Sequence, residues 1–78
     1  DSDKAEQLLK TALQLDPNGI DSLYFWGDHL YRQKRYSEAK AALQKALMAA
    51  PRPGRETADA GRRKEIEMLL VDVNKKLG

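Results

Sequence analysis

His29 is the only histidine in the chain, and it stands beside Asp28. An imidazole next to a carboxylate is the raw material of a general-base pair. Consecutive residues on a helix point about 100° apart, however, which is poor geometry for such a pair. The chain has no cysteine, so there is no thiolate nucleophile, thiolate metal site or disulfide. Carboxylates are plentiful, but none stands at ligand spacing from His29. The segment Pro51-Arg52-Pro53-Gly54 has one glycine and no following Lys-Ser or Lys-Thr, so it does not form a phosphate cradle. These features predict no catalytic residue, no metal and no cofactor.

Two groups of residues could instead do binding chemistry. Asp21, Tyr24, Asp28 and Tyr31 recur at spacings of three and four, which places them in one row on a helix, with Arg32 beside it. Tyrosines suit a contact surface: each offers a large rigid ring plus a hydroxyl. The alternative is that Tyr24 and Tyr31 pack between neighbouring helices. The second group is basic: Arg52, Arg55, Arg62, Arg63 and Lys64. It contains no aromatic to stack a base, and Glu56, Asp59 and Glu65 interrupt it. Nucleic acid is therefore not the expected partner. Positive charge at a helix start is slightly unfavourable, so the sequence offers no stability reason for this cluster.

These residues need elements to hold them. Seventy-eight residues make one domain. The chain is 41% apolar and 33% charged, with Leu and Ala dominant, which favours a globular all-α fold. Its net charge of +2 is spread over interleaved acids and bases, as on solvated helix faces. No apolar run approaches the roughly 20 residues that cross a bilayer. The start, Asp1-Ser2-Asp3-Lys4, is not a signal peptide and reads as a cut into a longer helical protein. The compartment stays open.

Apolar periodicity predicts four helices, at 3–15, 20–33, 37–49 and 57–77. Ala5, Leu8, Leu9, Ala12 and Leu13 form the apolar side of the first, which Pro17 and Gly19 end. Leu23, Trp26, Gly27 and Leu30 share a side of the second, with Trp26 expected in the core against Leu43 and Leu47. Ser37 is the expected N-cap of the third and Thr57 of the fourth. The fourth carries Ile66, Leu69, Leu70, Val73 and Leu77.

The first and third helices repeat one another. A shift of 34 carries Ala5, Leu9, Ala12, Leu13 and Pro17 onto Ala39, Leu43, Ala46, Leu47 and Pro51. Four matches share one helix face and the fifth is the terminator, as one packing unit used twice would leave. A 34-residue helix–turn–helix period resembles the tetratricopeptide repeat. Within 19–53, one complete copy, Leu23, Trp26-Gly27 and Leu30 stand where that pattern has its large residue, Leu-Gly and Tyr. Tyr36 lies at the turn, and Ala39, Leu43, Ala46 and Pro51 follow in register. Residues 1–18 then resemble the second helix of a preceding repeat. Residues 54–78 read as a loop and a continuous closing helix with a polar outer face: Gly61 lies 34 after Gly27, but only Leu70 and Val73 answer Tyr36 and Ala39, and no turn interrupts Arg62 to Lys76.

The resemblance implies a protein-interaction scaffold that holds a peptide or partner protein on a concave face. The row Asp21, Tyr24, Asp28, Tyr31 and Arg32 would line that face. Some members clamp a C-terminal carboxylate with Lys and Asn there. Here Tyr24 and Asp28 take those places, and Asp28 would repel a carboxylate, so a peptide with apolar and basic side chains suits better. The other reading is a structural or oligomerising segment with no ligand. The first helix has no partner of its own. It should expose Leu8, Leu9, Ala12 and Leu15 and favour weak self-association.

Overall fold

The computed structural model describes residues 1–78 as four helices and no strand. They are α1 (Ser2–Leu15), α2 (Ile20–Arg32), α3 (Tyr36–Leu47) and α4 (Glu56–Leu77). Each lies within two residues of its expected span.

The ends differ from expectation for local reasons. Asp1 caps α1, its carboxylate accepting from the Lys4 N–H at 3.0 Å. Ser37 does not cap α3; the capping position falls to Arg35, with no side-chain hydrogen bond. The cause lies upstream. Arg35 N–H reaches back to Leu30 O at 2.9 Å and Lys34 N–H to Tyr31 O at 3.0 Å. This paired closure of α2 puts Lys34 in the left-handed region at φ 62°. The chain leaves the turn already aimed into α3, so the helix starts before Ser37. Thr57 likewise lies inside α4, whose cap is Arg55. The last turn of α3 tightens, with Ala49 N–H bonded to Ala46 O at 3.1 Å, so the helix stops at Leu47 rather than Ala49.

Packing follows chain order. α1 touches α2, α2 touches α3, and α4 lies against both α3 and α2; α1 meets neither α3 nor α4. The result is a slab of 34 × 29 × 16 Å. Its core is Ile20, Leu23, Leu30, Ala39, Ala42, Leu43, Ala46, Ile66 and Val73. Each fully buried Leu or Ile contributes about 1.5–3 kcal/mol over an exposed one.

The antiparallel α2–α3 pair is set by small residues. A Cβ on Gly27 would stand 2.7 Å from Leu43 Cδ2 and 3.6 Å from Ala39 O. Ala39 and Ala46 are wholly buried. Side chains without bulk at these three positions leave room for the close approach of the two helices.

Trp26 packs against the edge of the core and not inside it. It is half-buried and lines a groove between α1 and α3 with Leu13, Leu23, Leu30, Ala41 and Ala42. Because Gly27 takes the point of contact with Leu43, its neighbour is rotated about 100° toward α1. There the indole stacks on the His29 ring, with centroids 5.7 Å apart. The closing helix also departs from expectation. Met68 and Val71 of α4 are 66% and 53% exposed, so its outer face is not polar throughout.

Candidate protein-binding face

Asp21, Tyr24, Asp28, Tyr31 and Arg32 all lie on α2, and α4 runs alongside part of that row. α4 is placed by three arginines. Arg63 donates to Leu47 O and, at 2.9 Å, to Ala49 O, satisfying carbonyls at the end of α3. Arg52 donates to both oxygens of the buried Asp59, with Nε–Oδ1 at 3.0 Å. Arg62 reaches Asp21 on α2, Nε to Oδ1 at 2.9 Å. These contacts dock the start of α4 against the end of α3 and the start of α2, making α3 and α4 antiparallel.

The same contacts supply the stability reason that the sequence alone did not offer for the basic cluster. Three of its five cations are engaged within the chain, leaving Arg55 and Lys64 without an ion pair. The Arg52 guanidinium holds the Asp59 carboxyl below its ordinary value.

Around Arg62 an aromatic cluster forms. Its guanidinium lies over the Tyr24 ring at 4.7 Å and over the Phe25 ring at 4.9 Å. The two rings meet edge to face at 5.5 Å. Burial raises the Tyr24 hydroxyl above its ordinary pKa, with Glu65 and Asp28 adding to it. Phe25 is 46% exposed and had no role in the sequence reading. Its signal was there: it stands about 200° from Leu23, a large aromatic on the polar side of its helix.

The rest of the row behaves differently. Asp28 accepts from Arg32 Nε at 3.0 Å. Tyr31 leaves the cluster and packs against Tyr36 at 5.7 Å, at the α2–α3 turn. Asp21 is paired with both Arg62 and Arg52, the latter at 3.5 Å. The acids expected to attract a basic peptide are thus held by arginines of the same chain.

His29 makes no pair with Asp28. It is buried, and its Nε2 donates to Glu6 Oε1 on α1 at 2.9 Å. Arg35 Nη1 reaches the same oxygen at 2.9 Å. The His29 bond, first, and the Arg35 charge hold the Glu6 carboxyl below its ordinary value. His29 is thus a tie between α1 and α2. No group of three or more His, Asp or Glu side chains is arranged to hold a metal. No helix is long and apolar enough to cross a membrane.

No curated protein and no solved structure matches the chain. A tetratricopeptide repeat family model matches residues 1–60. That span takes in α1, α2, α3 and the first turn of α4, including the Gly27–Leu43 contact. Members of this family generally mediate protein–protein interaction and typically act as non-catalytic scaffolds. The chain belongs to the tetratricopeptide repeat family.

Proposed function

We propose that this chain binds a peptide or partner protein through the α2 face bearing Asp21, Tyr24, Asp28, Tyr31 and Arg32, extended by Phe25 and by Arg62 of α4. The observation that carries the reading is the stack of Arg62 over Tyr24 and Phe25. It presents aromatic surface that is already rigid, so little side-chain entropy is lost when a partner covers it. The neighbouring charges are paired, so covering them strands no lone ion. Aromatic and arginine side chains in such clusters are the usual anchors of protein interfaces.

A peptide array, followed by titration of the best sequence, tests this. Phe25→Ala and Arg32→Ala should weaken binding while leaving the far-UV circular dichroism unchanged. Tyr24→Phe and Tyr31→Phe should separate the hydroxyls from the rings. An array with no sequence captured, or capture indifferent to all four substitutions, would overturn the assignment.

A further inference from the structure

A groove runs along the side of α2 that faces away from the Tyr24 row. Trp26 stands two residues from both Tyr24 and Asp28, about 160° from each round the helix. α1 and α3 both pack on α2 but do not touch one another. Between them Leu23, Trp26 and Leu30 form the floor, with Leu13 on the α1 wall and Ala41 and Ala42 on the α3 wall. This space measures about 310 Å³ and is open along its length. It continues toward Pro17 on one wall and Met48 on the other. From Glu38 to Met48 that is about 15 Å along α3. Every residue of the groove lies between Lys10 and Ala50, so neither chain end takes part in it. The floor is preset. The indole stacks on the His29 ring at 5.7 Å, and His29 is pinned to Glu6 at 2.9 Å. Little side-chain freedom is left to lose when a ligand covers it.

The charges set the sign of the ligand. Lys10, Glu38 and Lys45 line the groove. Glu38 is held by Arg35, Nε at 3.2 Å and Nη2 at 2.8 Å. Lys10 lies 3.5 Å from Glu6, a carboxylate that His29 and Arg35 already occupy. Lys45 is exposed and has no ion pair within the chain. Glu6 and Glu38 thus stand against Arg35, Lys10 and Lys45, which leaves a positive excess. The other charges of α1 are Asp1, Asp3, Lys4 and Asp16. They stand about 9 Å or more from Lys10 along the axis, where salt screens them. Lys40 points about 140° round α3 from Lys45. The 34-residue shift carries Lys10 onto Gln44, so Lys10 and Lys45 stand level on the two walls. We infer that this groove is a second docking site, for a partner peptide that seats an aliphatic or aromatic side chain on Trp26 and an Asp or Glu between Lys10 and Lys45. Because the groove is open, a small molecule in it would stay half in water, whereas a peptide brings its own backbone as a cover. The site lies across α2 from the Tyr24 face and does not depend on that face binding anything.

Trp26 is the only tryptophan, so its emission reports on the groove directly. The test is to titrate the whole chain with short peptides carrying one Leu or Phe and one Glu at varied spacing, and with the same peptides carrying Lys for Glu. The Glu set should shift the emission to the blue and saturate, and the Lys set should not. Lys45→Glu should weaken the Glu set by about fivefold or more and admit the Lys set. Ala41→Gln, which adds bulk at an exposed position on the wall, should weaken binding with helicity unchanged. Phe25→Ala should leave the shift intact, which separates this site from the Tyr24 face. No shift with any peptide, or equal shifts from the two sets, overturns the proposal. So does a shift that Phe25→Ala removes and Lys45→Glu leaves unchanged, because that ligand sits on the other face. Saturation by decanoate with no response to peptide also overturns it, since the groove then takes a free amphiphilic carboxylate.

Discussion

Leu43 fills the space where Gly27 has no side chain: its Cγ stands 2.8 Å from the place a Cβ would occupy. Both residues are buried, at the centre of the α2–α3 pair. Gly27→Ala gains about 1 kcal/mol of helix propensity but overpacks the contact by about 1–3 kcal/mol. Urea unfolding should therefore show a net loss of about 1 kcal/mol. In a Leu43→Ala background the same change should become neutral or stabilising. Equal effects in the two backgrounds would mean that the two residues do not compete for space.

Lys34 sits at φ 62°, a conformation that costs a residue with a Cβ about 1 kcal/mol. Lys34→Gly should raise stability by roughly that amount, read as a higher melting temperature with helicity unchanged. A lower melting temperature would show that the lysine side chain contributes something the backbone does not reveal.

Arg63 carries two hydrogen bonds from α4 to the carbonyls of Leu47 and Ala49. Arg63→Met keeps the stem and removes the donors. It should cost about 1.5–3 kcal/mol, the range for hydrogen bonds to a charged group. Amide exchange should rise first in α4 if the arginine is its latch. Uniform change across the chain would argue against that role.

Acid should loosen both ends of the slab. Glu6, Glu38 and Asp59 have folded pKa values below their ordinary ones, held there first by His29, Arg35 and Arg52 respectively. A depressed carboxylate contributes stability above its unfolded pKa and loses it as pH falls through the folded one. Melting temperature should thus fall as pH drops below about 4.5. Glu6→Gln and Asp59→Asn should each flatten that slope. A melting temperature independent of pH over this range would count against these pairs.

The four helices were legible because each rests on local information. Leu and Ala at spacings of three and four, and breakers at Pro17 and Pro51, need no tertiary context to be read. The repeat was legible for a related reason: one packing contact used twice leaves the same residues 34 apart. The place of Trp26 was not, since its periodicity is that of a core residue. Only the approach of Gly27 to Leu43 turns it toward α1. The start of α3 falls one residue before its expected place because backbone turn closure, not a Ser37 cap, decides it.

The charged residues divide the same way. That Asp21, Tyr24 and Asp28 share a row follows from 3.6 residues per turn, a property of the chain itself. Which of them meet Arg62 depends on where α4 lies, 41 residues from Asp21 along the sequence. Helix periodicity is a short-range property and can be read from neighbouring residues. The pairing of Arg52, Arg62 and Arg63 with distant acids and carbonyls arises only when packing closes those distances. A basic cluster in the sequence thereby becomes the clasp of the closing helix.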